Sequence, residues 1–150
     1  MKESELLIGK INRIADFCHN RPPEFSAIAE EMVLYLCVLL SGYFEKAVEQ
    51  VVEQAVRKAG KKLSRHRNFK PEELIRYMKK YSPQWERALK AAFDNENEMK
   101  DALETLVANR NQIAHGGSIQ LTIEEFRKKE KKIYALEELI SDIVKKHPVH

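Results

Sequence analysis

Apolar residues recur at spacings of three and four along most of the chain, the period of helices that pack by one face. The first such segment runs from about Ser4 to Cys18 through Leu7, Ile8, Ile11, Ile14, Ala15 and Cys18, and Asn20-Arg21-Pro22-Pro23 stops it. A second starts between Glu24 and Ser26 and continues to Gly60. About 34 residues make roughly 50 Å of helix. Between Met32 and Phe44 this helix is apolar almost all round, the pattern of a central buried element. Leu34, Val38, Ser41, Glu45, Val48 and Val52 share one stripe, so Ser41 and Glu45 are polar interruptions of an apolar line.

Pro71 occupies the favoured first position of a third helix that reaches about Lys80. Ser82-Pro83 opens a short fourth, with Trp85, Ala88, Leu89, Ala92 and Phe93 on its apolar side. Asn95 with Glu98 reads as a capping pair for a fifth helix, which Gly116-Gly117 terminates. Thr122 with Glu125 is a second capping box, opening a last helix whose core face is Phe126, Ile133, Leu136, Ile140, Ile143 and Val144. No strand pattern of useful length and no internal repeat is present. The expectation is an all-α antiparallel bundle, one domain over residues 1–150, with one long central helix and short accessory helices.

Composition narrows the class. Hydrophobic residues at 43% and charged residues at 33% exclude a disordered chain. The longest strongly apolar run, Met32 to Leu40, is far short of the ~20 residues that span a bilayer. The start, Met1-Lys2-Glu3-Ser4-Glu5, is acidic as well as basic and reads as no signal peptide. Cys18 and Cys37 sit in apolar helical patterns and read as reduced core thiols. A cytoplasmic protein with no membrane contact is expected. No glycine-rich phosphate loop is present, and the one close histidine pair, His147 and His150, lies at the chain end around Pro148. No cofactor and no metal are therefore expected.

A net charge of +3 is too small to argue nucleic-acid binding, so clustering matters more. Residues 57–70 hold seven Lys or Arg and no carboxylate. Lys61, Lys62, Arg65 and Arg67 read either as a solvated loop or as a track for an RNA backbone. The basic run Arg127, Lys128, Lys129, Lys131 and Lys132 reads as a solvated helix face, and so does the acidic run Asp94, Glu96, Glu98, Asp101 and Glu104.

The fifth helix carries the chemistry. Its apolar stripe is Met99, Leu103, Leu106, Val107, Ile113 and Ala114, and Arg110 falls in the middle of it. A guanidinium on a core-facing line needs a partner or a polar cavity. Two readings follow: a structural salt bridge, with Glu45 as the candidate partner, or an anion-binding group in a cleft.

The segment Val107-Ala108-Asn109-Arg110-Asn111-Gln112-Ile113-Ala114-His115-Gly116 resembles the HEPN superfamily of helical domains. Its nuclease members carry an Arg, four to six residues, then a His, commonly with a polar residue after the Arg. Arg13 and His19 meet the bare spacing too, but Ile14 follows that Arg and Asn20-Arg21-Pro22-Pro23 follows that His. The chain is most similar to the small stand-alone bacterial nucleases of toxin and restriction systems, the RiboL-PSP type. The long second helix with Leu39 to Glu45 and the closing helix from Thr122 agree with this resemblance.

The resemblance implies RNA cleavage without a metal, and the residues suit it. RNA supplies its own nucleophile, the 2′-hydroxyl. Cleavage then needs a base, an acid and positive charge on the phosphate. His115 can serve as base or acid at neutral pH, and Arg110 can hold two phosphate oxygens. Asn111, four residues before His115, can orient the imidazole or bind the ribose. Ser41 and Glu45 are supporting candidates on the second helix. On an ideal helix His115 points about 140° away from Arg110. Either the helix unwinds at Ala114-His115-Gly116, or two protomers share the site; the family implies the second, a homodimer with two Arg-His sets across its cleft. The leading expectation is a toxin or defence ribonuclease acting on an RNA substrate and held in check by a neutralising protein. The alternative is a helical dimer with a dead site that binds protein or nucleic acid.

Overall fold

The computed structural model describes residues 3–63, 69–115 and 121–149, without the side chains of residues 112–115. Among the described residues there are six α-helices and no strand. They are α1 (Glu3–Asn20), α2 (Ser26–Lys58), α3 (Pro71–Lys79), α4 (Pro83–Asn95), α5 (Asn97–His115) and α6 (Ile123–Lys146), with a 3-10 turn at Pro23–Phe25 before α2. α2 is the hub, packed by α1, α5 and α6. α3 and α4 form a smaller pair against α5 and α6.

Local chemistry explains the ends. α2 stops where Gly60 turns to φ 71°, with Lys61 N–H bonding the Val56 carbonyl and Gly60 N–H bonding that of Arg57. This is a Schellman ending, which glycine reaches without strain. Pro71 starts α3 and Pro83 starts α4, where Ser82 Oγ accepts from the Trp85 N–H at 3.4 Å. Thr122 Oγ1 accepts from the Glu125 N–H at 3.1 Å, as its capping box requires. The Asn95–Glu98 box does not form. Asn95 is the last residue of α4, and the chain breaks only at Glu96 before α5 begins at Asn97. The Glu96 N–H still closes on the Ala92 carbonyl, so α4's own ladder claims the residues meant for the cap. The Gly116-Gly117 terminator lies outside the described residues.

One continuous core joins all six helices. Ile11, Ala15 and Cys18 come from α1, and all six expected α6 positions are buried. Rings of Phe69, Tyr77, Tyr81 and Trp85 follow one another at centroid distances of 5.0, 5.5 and 6.4 Å, which ties the α3–α4 pair down. Trp85 Nε1 reaches the His147 carbonyl at 2.7 Å. Both thiols are buried, and burial pushes that of Cys37 up to about 12.

α2 departs from its expected all-round burial. Its core side holds Val33, Leu36, Cys37, Leu40 and Phe44, but Ile28 and Tyr35 are exposed, and Met32, Leu34 and Val38 are half-buried. Three packed helices cover three sides of a cylinder and leave the fourth open. Within Pro23–Lys58 one window reaches a mean hydropathy of 1.6 with 33% of it buried, long and apolar enough by length and composition to cross a membrane. The packing of α1, α5 and α6 on α2, and the ion pair at its middle, account for that apolarity as core plus one uncovered face.

Candidate active site on the fifth helix

α5 meets α2 through Arg110. Met99, Leu103, Leu106 and Val107 bury the first part of its stripe, and Arg110 continues that line one turn later. Ser41 and Glu45 stand one turn apart on α2 and receive it. Arg110 Nη1 donates to Ser41 Oγ at 3.0 Å and to the Glu45 carboxylate. The Arg110 side chain keeps 27% of its surface exposed, against 14% for Glu45. Among the described residues the guanidinium is engaged through Nη1 alone, leaving Nε and Nη2 as donors. Both readings of Arg110 are thus physically compatible: it is ion-paired and partly exposed, and it keeps donors that no described residue uses.

Asn111 lies next in sequence and points elsewhere, about 100° around the helix. It lines a shallow recess of about 440 Å³ with Lys70, Pro71, Glu104 and Val107. Lys70, just before α3, is a residue of the basic linker that the fold brings to the motif helix. Lys61 and Lys62 are exposed beyond the end of α2. That end lies about 20 Å along the helix from Glu45. Arg65 and Arg67 lie outside the described residues.

α5 remains helical through His115, so unwinding at Ala114-His115-Gly116, one of the two ways to bring His115 round to Arg110, does not occur up to that residue. The His115 side chain lies outside the described ones. Asn109, within the same segment, is 5% exposed. Its Nδ2 donates to the Thr105 carbonyl at 2.8 Å and its Oδ1 has no hydrogen-bond partner. The sequence held a signal for it: Asn109 continues the buried line Ala102, Leu106 at helical spacing.

The charge runs on α5 and α6 neutralise each other. Lys132 pairs with Glu96 at 2.8 Å and Glu98 at 3.1 Å, and Lys129 with Asp101 at 3.0 Å. Arg127 binds Glu130, which is buried and also accepts from the Tyr134 hydroxyl. These residues are a cross-helix lattice, more ordered than the solvated faces expected of them. The second Arg-His match is on α1, where Arg13 and His19 are exposed and His19 stands 3.8 Å from Glu124.

Six helices with no strand among the described residues are consistent with an all-α HEPN-like fold. The model of the family described as RiboL-PSP-HEPN matches residues 5–146, nearly the whole chain, and the protein belongs to that family. HEPN domains are generally associated with ribonuclease activity or RNA binding. No curated protein and no solved structure matches the chain.

Proposed function

We propose that the protein is a metal-independent endoribonuclease of toxin or defence type that works as a homodimer. The observation that carries this reading is Arg110: its Nη1 is fixed by Ser41 and Glu45, while Nε and Nη2 have no partner among the described residues, on the helix that ends at His115. A guanidinium oriented in this way is a preformed phosphate clamp. His115 of one protomer takes the 2′-hydroxyl proton and His115 of the other protonates the leaving 5′-oxygen. The oxygen attacks phosphorus, the P–O5′ bond breaks, and a 2′,3′-cyclic phosphate remains. Asn111 and Lys70 guide the strand along the recess beside the motif.

The dimer draws support from α2. Leu34 and Val38 continue the Ser41–Glu45 stripe and are only half-buried, and Tyr35 beside them is exposed. A second copy placed there covers apolar surface and faces one motif helix with another. A neutralising protein and a cytoplasmic setting complete the proposal.

One observation favours a second reading. Glu45 occupies the guanidinium that a phosphate would need, as expected of a binding module whose site is dead. The same experiment decides between them: labelled single-stranded RNA with EDTA, wild type against His115→Ala. Cleavage by wild type to cyclic-phosphate ends, lost in a well-folded His115→Ala protein, supports the enzyme. Bound but uncut RNA supports the module, and cleavage abolished by EDTA and restored by Mg²⁺ sinks the mechanism.

A further inference from the structure

The end of the bundle toward which α5 runs holds a second recess. The Lys132 and Lys129 ion pairs set α5 antiparallel to α6. Tyr43 bonds Glu137, and the first turns of α2 and α6 wall one cavity, so those two helices are parallel. α5 therefore runs antiparallel to α2. From Arg110 to His115 its backbone advances about 7.5 Å toward α2's N-terminal half. The cavity there has a volume of about 370 Å³. Its α2 wall, Ala29 to Val33, lies about 12–18 Å before Ser41 on that helix, and Leu121 of its α6 side follows His115 by six residues in the chain.

The walls are of two kinds. Val33, Leu121 and Ile123 are apolar and suit a flat ring, while Arg21, Glu30 and Glu124 ring the opening with charge. Arg21 is held in place by Nη1, which donates to the Cys18 carbonyl at 2.5 Å, and its Nε is buried without a partner. Glu30 is exposed and has no partner among the described residues. A guanidinium only donates and carboxylates only accept. Guanine is the base with two adjacent donors, N1–H and N2–H, and two adjacent acceptors, O6 and N7. The Watson–Crick edges of adenine, cytosine and uracil offer no two adjacent donor groups, so each sets a lone pair against a carboxylate.

We infer that this cavity is a guanine subsite that seats the base beside the scissile phosphate, an inference that rests on the ribonuclease reading for its place in the reaction. Phe17 and Phe25, 39% and 40% exposed with ring centroids 6.4 Å apart, stand at the same end and offer stacking surface to the next base.

The test starts with the full chain and free nucleotides, by calorimetry. Guanosine 5′-monophosphate should bind roughly ten-fold or more tighter than the adenosine, cytidine and uridine monophosphates, and Glu30→Gln should remove most of that gap. Glu30 and Glu124 are the residues to change, because Arg21 also holds the end of α1. Equal binding of all four nucleotides, or a preference untouched in both Glu30→Gln and Glu124→Gln, overturns the subsite. Sequencing of cut ends from a randomised RNA should then show guanine at one fixed position beside the cut. RNA cut without such enrichment overturns the subsite and leaves the ribonuclease standing. A guanosine monophosphate preference with uncut RNA overturns the ribonuclease and leaves a guanine-binding cavity.

Discussion

Arg110 and Glu45, 65 residues apart in the chain, form an ion pair across the α2–α5 contact, and Ser41 accepts from the same Nη1. The pair is half-buried, so its loss is not symmetrical. Arg110→Ala strands a carboxylate in a poorly solvated place and should cost about 1–3 kcal/mol by urea unfolding. Arg110→Ala with Glu45→Ala should cost about 1 kcal/mol less than the sum of the single changes. Additivity to within roughly 0.3 kcal/mol would show that the two residues do not support one another. Arg110→Lys should keep much of the stability but lose cleavage, because an ammonium cannot hold Ser41, Glu45 and two phosphate oxygens in one plane.

The recess beside Asn111 makes a separate prediction about binding. If RNA passes there, Lys70 neutralises a phosphate, and Lys70→Gln should flatten the log–log salt dependence of RNA affinity by about 0.7. Lys61→Gln with Lys62→Gln should flatten it by about twice that if the strand continues past the end of α2. Fluorescence anisotropy on the His115→Ala protein measures both without cleavage. Unchanged slopes would return these lysines to the role of solvated charge.

How much of this was legible in the sequence varies by feature. The apolar period located all six helices, and Thr122, Ser82, Pro71 and Gly60 placed their ends, because these signals act within one turn. The α4–α5 junction was misread at Asn95 because two helices there abut with a single-residue break, and a cap signal cannot tell which ladder will claim it. Arg110 on an apolar line announced a partner, and Glu45 on a matching line of α2 was the residue to suspect. The mutual pairing of Lys129 and Lys132 with Asp101, Glu96 and Glu98 was out of reach, since it depends on the register of α5 against α6. The same holds for the open side of α2: apolar period says which residues avoid water, not which neighbour covers them.

Cys37 gives a prediction in pH. Burial favours the neutral thiol and raises it from its ordinary value of 9.0 to about 12. A raised acid keeps its proton in the folded state longer than in the unfolded one. Its contribution is therefore whole below about pH 9 and is lost as pH climbs toward 12, by up to about 1.4 kcal/mol per unit. Buried Tyr43 and Tyr77 and half-buried Tyr134 are shifted the same way, so wild type alone cannot isolate the thiol. Urea midpoints at pH 8, 9.5 and 11 should fall faster for wild type than for Cys37→Ala. Parallel curves would mean that the thiol ionises as easily folded as unfolded.

The last prediction concerns the number of histidines per cleavage event. A helical backbone through His115 holds that residue about 140° of helix rotation from Arg110, and the motif itself carries a single histidine. The reaction needs a base and an acid. A two-fold axis beside α5 supplies a second His115 and a second Arg110 with no further sequence, and the half-buried Leu34 and Val38 with exposed Tyr35 give that axis an apolar surface to close. Wild type equilibrated with an excess of His115→Ala protein therefore forms mostly mixed dimers, each with one imidazole missing. Activity at constant total protein should fall as the square of the wild-type fraction. Subunit exchange is verified by mass spectrometry of the mixture, so slow exchange cannot imitate independence. A linear fall after complete exchange, or full activity from a species that light scattering shows to be monomeric, would mean that each protomer cuts alone.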